Sequence, residues 1–246
     1  MKTIPIILST GNSPEELNLT LRSLKATDVE SNPIVLVDQS SSPKMKKYLY
    51  EDQKTKVKLE YDKEIAIQKV EDLLYSYINI PESEETRAIG GQHTVVALDK
   101  VASDPSSLLL AKINLAFTMY PLAPYCVILE SGLMFNRDWF VELEKIAKNS
   151  SRVALASCYS VYGNQSRIEP SGSCLATTKE FYKQLVKAGL YTNISLSGEG
   201  TPCEKLQGFA KKLGMIVKTS EKSFIHPISS GFNYSNLFCK PVAWLN

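Results

Sequence analysis

Ile34-Val35-Leu36-Val37-Asp38-Gln39-Ser40-Ser41-Ser42-Pro43 is the stretch on which the reading of this chain turns. Pro33 to Val37 predicts a buried strand, because it is a short run of β-branched and apolar residues that stops at an acid and a serine run. Upstream, Thr3 to Ser9 is a second such run, closed by Thr10, Gly11, Asn12, Ser13 and Pro14. Between the two, Leu17, Leu21 and Leu24 recur at helical spacing across Glu15 to Lys25. Ser13 as N-cap, Pro14 at the first helical position and Glu16 three residues on predict a capping box, which satisfies orphan amides of the first turn. The outcome is a β-α-β unit with a polar loop at its carboxyl edge, where open α/β sheets bind their ligands.

The pattern continues downstream. Lys56 to Tyr61 alternates as a third strand, and Lys63 to Ile78 reads as a helix through Ile65, Ile67, Val70, Leu73 and Leu74. Pro81 to Gln92, with Glu82, Glu84, Glu85 and Gly90-Gly91, is a loop. Thr94 to Tyr120 reads as a helix interrupted near Asp104-Pro105. Cys126 to Leu129 is a strand, Trp139 to Ala147 a helix, Val153 to Tyr159 a strand, Lys179 to Ala188 and Glu204 to Leu213 helices, and Met215 to Thr219 a strand. This alternation predicts one α/β domain over residues 1–246, a mostly parallel mixed sheet flanked by helices.

Composition narrows the function. With 43% hydrophobic and 22% charged residues the chain is neither disordered nor fibrous. Its 28 basic and 26 acidic residues give a net charge of +2, which makes no broad field for a polyanion. The lysines between Lys44 and Lys58 leave a local basic groove open. Met1 to Ser9 reads as a strand with no signal-peptide cleavage site, no stretch approaches a membrane span, and five cysteines without paired spacing suit reduced thiols. The expectation is a cytoplasmic protein. No Gly-x-Gly-x-x-Gly, phosphate-loop or Gly-x-Ser-x-Gly element occurs, which argues against dehydrogenase, kinase and α/β-hydrolase chemistry.

Seven segments stand in a telling order: Ile4 to Ser9 with Asn12 and Ser23-Leu24; Ile34 to Ser41; Lys112-Ile113-Asn114-Leu115-Ala116; Tyr125-Cys126-Val127-Ile128-Leu129-Glu130-Ser131-Gly132; Asn136-Arg137-Asp138-Trp139-Phe140; Ser171 to Thr177 followed by Phe181; and Phe224-Ile225-His226. This series resembles the family 2 glycosyltransferases of the GT-A fold, in the nucleotide-diphospho-sugar transferase superfamily. The resemblance implies a nucleotide-sugar-binding half, residues 1–130, and an acceptor-side half, residues 131–246. It implies sugar transfer from a nucleoside-diphosphate sugar, a UDP-sugar first among them, to a hydroxyl acceptor.

The same resemblance assigns roles. Asp38 would contact the uracil or ribose of the donor, the alternative being a turn-capping Asp before the serines. Thr10 and Asn12 would line that pocket, or form an Asx-type cap. Glu130 takes the first position of the Asp-x-Asp motif, whose Mn²⁺ or Mg²⁺ neutralises the leaving diphosphate. Gly132 stands where the second aspartate belongs, and His226 where a late metal or phosphate contact falls, with a structural histidine as the other reading. Lys112 and Arg137 are the cations that would take over the diphosphate without a metal, and Asn114 follows in the matching Arg-Asn element. Glu199 or Glu204 would be the base that deprotonates the acceptor; Pro202-Cys203 occupy the expected acidic pair, and Glu204 equally suits a helix N-terminus.

Two other classes stay open: a non-catalytic nucleotide- or sugar-binding module, and a phage-type transferase acting on hydroxylated bases in DNA. Pro81 to Gln92 and the tail Ser229 to Asn246, with Phe232, Tyr234, Phe238 and Trp244, are the expected acceptor contacts. His93 receives no role.

Overall fold

The computed structural model describes residues 3–27, 29, 32–39, 42–49, 58–60, 94–97, 105–159, 168, 172–189 and 199–228. The expected first unit is there: β1 (Ile6–Ser9), α1 (Pro14–Lys25) and β2 (Ile34–Asp38), with β1 and β2 parallel and Ile6 opposite Ile34. Next come α2 (Pro43–Lys47), β3 (Lys58–Glu60), β4 (Thr94–Ala97), α3 (Pro105–Met119), β5 (Tyr125–Glu130) and β6 (Leu133–Phe135). The remainder is α4 (Trp139–Lys148), β7 (Val153–Ser157), β8 (Cys174–Thr178), α5 (Lys179–Lys187), α6 (Pro202–Lys212), β9 (Ile216–Thr219) and β10 (Ile225–Pro227). The helix expected over Lys63 to Ile78, the loop Pro81 to Gln92, His93, Ser40-Ser41 and the tail from Ser229 lie outside the described residues.

Eight strands form one sheet in the order β3-β4-β2-β1-β5-β8-β7-β9, all parallel except β8, which runs antiparallel to β5 and β7. β6 and β10 make a separate antiparallel pair. Thr94–Ala97 corrects the helical reading of that stretch. Thr-Val-Val-Ala is a β-branched run too short for its period to decide, and pairing with both β2 and β3 settles it as strand. The helix begins only at Pro105, which suits a first helical turn.

Strand alternation sorts the core into two faces. Ile7, Val35, Val37, Cys126 and Ile128 pack with α3, α5 and α6. Ile6, Leu8, Leu36, Val127 and Leu129 pack with α1, α2 and α4, around a fully buried Trp139. Cys126, Cys158, Cys174 and Cys203 are free buried thiols.

The capping box expected at α1 is only half made. Ser13 Oγ accepts from the Glu16 amide at 3.2 Å and donates to Glu15, while the Glu16 carboxylate lies toward Gly132, 3.5 Å from where a Cβ on that glycine would stand. The complete box is on α6, between Thr201 and Glu204.

One topological feature positions the site. From β1 the chain first builds outward through β2 to β3 and β4, then crosses by α3 to β5 on the other side of β1. The order therefore reverses between β1 and β5, and the crevice beyond their carboxyl ends is where such sheets receive ligands.

Candidate active site

Ser9 and Glu130 end β1 and β5, opposite each other in register and on the face covered by α3. Lys112, from the middle of that helix, reaches both. Its Nζ donates to Ser9 Oγ at 2.6 Å and to Glu130 Oε1 at 2.9 Å, and Ser9 Oγ donates to the same carboxylate oxygen at 3.1 Å. The lysine side chain is 5% exposed and the glutamate 41%. A buried ammonium needs such partners, since its desolvation would otherwise cost several kcal/mol. Glu130 therefore turns one oxygen inward to a closed cation and keeps an open side toward solvent.

Thr10 and Asp38 sit on the other face of the same edge. The β1–β2 register places them side by side one step beyond Ser9 and Val37, and the Thr10 amide donates to Val37 O at 3.1 Å. Both are closed to solvent, and the Thr10 hydroxyl has no hydrogen-bond partner. Gln39 Nε2, next along the chain, is also buried without a partner. Orphaned polar atoms of this kind each forfeit about 1–3 kcal/mol, which a ligand able to bond them would recover. Asn12 is exposed in the loop that leads into α1.

The loop after β5 is fastened to α1. Gly132 and Leu133 donate their amides to Thr20 Oγ1 at 3.0 and 3.2 Å, Phe135 donates to Ser23 Oγ at 2.9 Å, and Trp139 Nε1 reaches Thr27 Oγ1 at 3.2 Å. Thr20, Ser23 and Thr27 are all buried. Gly11 and Gly132 hold left-handed backbone at this crossing, and a Cβ on Gly11 would fall 2.3 Å from Ser131 Oγ.

Arg137 is exposed in the turn that leads into α4. Asn114 turns elsewhere. Two residues beyond Lys112 it is rotated about 200° around the helix, where its Oδ1 accepts from Tyr182 at 2.8 Å beside the Phe117–Tyr182 stack.

On the β8 side of Glu130, Ser173 O accepts the Glu130 amide at 3.0 Å, and the adjoining Gly172 lies against Cys203 at the start of α6. The α6 N-terminus thus stands beside the Glu130 end of the sheet. Glu204 there is committed to its cap: its Oε2 accepts from the Thr201 amide at 3.0 Å and hydroxyl at 3.2 Å. Glu199 is exposed, just ahead of the cap. His226 pairs with Met134 across the β6–β10 ladder, and the chain returns beside Gly132 through the Ile228 amide. Its Nε2 is buried and unpartnered, and desolvation holds the imidazole below its ordinary pKa.

These residues do not make a ready metal site. A divalent cation takes several oxygen ligands; here Glu130 already has one oxygen engaged, Gly132 brings no side chain, and no group of three His, Cys, Asp or Glu suited to a metal occurs among the described residues. A half-open cavity of about 300 Å³ lies elsewhere, between α4 and the end of β9, lined by Glu142, Lys145, Asn149, Lys218 and Phe224.

Ser9, Gln39, Thr20 and Ser23 were not expected as site residues. Ser9 carried a signal: it is the one polar residue of Ile6-Ile7-Leu8-Ser9, on the face that Glu130 shares once β1 pairs with β5.

Sheet order, the reversal between β1 and β5 and the antiparallel β8 define a glycosyltransferase-like α/β fold of the GT-A kind. Among solved structures the chain is similar to the mannosyltransferase PcManGT from Pyrobaculum calidifontis, determined in complex with GDP-Man and Mn²⁺, at 12% identity and a TM-score of 0.51 over 88% of this chain and 54% of that one. It is similar also to S. aureus TarS 1–349, at 13% identity and a TM-score of 0.50 over 92% of this chain and 60% of that one. The chain thus spans little more than half the length of these neighbours. No family model matches it, and no curated protein sequence matches it significantly. No helix among the described residues is long and apolar enough to cross a membrane.

Proposed function

We propose that this chain transfers a sugar from a nucleoside-diphosphate sugar to a hydroxyl acceptor. The observation that carries the reading is that Thr10, Asp38 and Glu130 all stand at the carboxyl ends of β1, β2 and β5, along the edge where the sheet order reverses. Asp38 accepts hydrogen bonds from the nucleoside, and the Thr10 hydroxyl, unpartnered in the free chain, gains a partner in it. Asn12 lines the entrance. The acceptor hydroxyl attacks the anomeric carbon, the bond to the diphosphate oxygen breaks, and a carboxylate takes the hydroxyl proton. That last step falls to Glu199 in this reading, since Glu204 already serves the α6 cap. The mannosyltransferase neighbour was solved with GDP-Man, so guanosine as well as uridine donors belong in the test.

Isothermal titration with UDP and GDP decides the matter: saturable binding lost in Asp38→Ala is the expected result, and no binding of either nucleotide overturns the reading. Pro202-Cys203 in place of an acidic pair favours one rival, a binding module without catalysis. Release of free sugar from a donor by the wild type, and not by Glu199→Gln, excludes that rival. The lysines of α2 favour a DNA acceptor only if duplex binding falls steeply with salt.

A further inference from the structure

We propose that Lys112 holds Glu130 in place of a divalent cation, so that the free chain binds no metal at this edge and takes its nucleoside diphosphate without one. The inference deepens the donor-site reading above in its second clause only; its first clause concerns the free protein and stands by itself.

The geometry carries it. Glu130 is the single carboxylate at the end of β5, and its Oε1 already accepts from the Lys112 ammonium at 2.9 Å and the Ser9 hydroxyl at 3.1 Å. Lys112 enters from α3, on the protein side of the carboxylate, with its side chain 5% exposed. It is not a surface lysine that swings aside when a cation arrives. Its carbon chain is packed on a helix whose neighbours Leu109, Leu110, Ile113 and Ala116 are buried in the core, and its Nζ is fixed a second time by Ser9 at 2.6 Å. A dication on the open side of Glu130 would share that carboxylate with an ammonium that cannot retreat into solvent, and the two positive charges repel at short range.

Beyond Glu130, the carboxylate that the edge offers a cation is Glu16 of α1, which lies toward Gly132. Gly132 supplies no ligand, and the space where its side chain would begin faces Glu16 of α1 rather than Glu130. Thr20 is already an acceptor for two amides. The ammonium thus meets the electrostatic need of the strand-end carboxylate, which a bound cation would otherwise meet, and it does so permanently.

The test is Mn²⁺ binding to the free protein, followed by electron paramagnetic resonance, for the wild type, Lys112→Met, and Lys112→Met with Glu130→Gln. Methionine keeps the apolar stem volume, and the carboxylate it leaves alone is 41% exposed, so the fold is retained; circular dichroism verifies that. The wild type is expected to leave Mn²⁺ free at millimolar concentration. Lys112→Met is expected to gain affinity by about ten- to a hundredfold, the range over which groups bonded to a metal's ligands shift its affinity, and the double variant to lose that gain. Wild-type binding that disappears in Glu130→Gln overturns the proposal, as does a folded Lys112→Met that gains nothing.

A second arm titrates UDP and GDP into the wild type with Mn²⁺ and with EDTA. Equal affinity supports metal-free binding of the donor, and affinity that requires Mn²⁺ overturns it. If neither nucleotide binds under either condition, it is the sugar-transfer reading that fails, and the Mn²⁺ titrations alone decide the role of Lys112.

Discussion

Glu199 and Glu204 lie five residues apart in the chain, but their carboxylates have different obligations. Glu204 closes the first turn of α6, bonding the Thr201 amide and hydroxyl while its own amide donates to Thr201 Oγ1. Glu204→Ala is expected to lower stability by about 0.5–2 kcal/mol, the usual worth of such a cap, in urea denaturation, and to leave donor binding unchanged. Glu199→Gln is expected to reverse that pattern: normal stability, with turnover reduced about 10²- to 10⁴-fold, as when a general base is removed. Equal losses from both variants would mean that neither is the base. His226 offers a second residue-level prediction. Burial depresses its folded pKa below the ordinary 6.5, so below that pH the unfolded chain takes up a proton that the folded chain resists. Stability is then full above pH 6.5 and declines as the pH falls toward the depressed value. His226→Asn should flatten that part of the stability curve, measured by urea midpoints across the pH series, and an unchanged slope would assign it to another group.

At the scale of elements, the seam between α1 and β6 decides whether the loop after Glu130 keeps its place. Thr20 Oγ1 accepts two amides, and Leu133 is buried. Thr20→Val keeps the shape and removes the acceptor, so the expected cost is about 1–3 kcal/mol for each amide left unpaired in the interior. Urea denaturation reads this directly, and a loss under about 0.5 kcal/mol, the scale of an ordinary surface change, would show that water replaces the hydroxyl. The helices and strands of this region were readable from the sequence because Leu17, Leu21, Leu24 and the Ile34 to Val37 run carry clear periods. Thr94 to Ala97 was not: four residues hold less than two helical turns, and only the partners β2 and β3, distant in sequence, show them to be strand. The site divided in the same way. Asp38 and Glu130 were named through the resemblance, by their places at the ends of matching apolar runs. The partnership of Lys112 with Ser9 and Glu130 depends on strand register and on which side of α3 faces the sheet, and Asn114, two residues from Lys112 in the same matched element, turns instead to Tyr182.

At the scale of the whole molecule, two places among the described residues compete for a ligand. One is the reversal point between β1 and β5, where the polar ends of three strands meet. The other is the cavity of about 300 Å³ between α4 and the end of β9, lined by Lys145 and Lys218 among others. A ligand bound to the native state at a hundred times its Kd adds about 2.7 kcal/mol of stability, which for a domain of this size raises Tm by about 5–10 °C. UDP or GDP at that excess should therefore produce a shift easily seen by calorimetry, but the shift alone does not say where the nucleotide sits. Hydrogen exchange does. New protection is expected at the amides of residues 9–13, 37–39 and 130–133, because those are the groups that the reversal point presents. Protection confined to residues 142–149 and 218–224 would place the nucleotide in the cavity instead, and with it would go every role given above to Asp38 and Thr10.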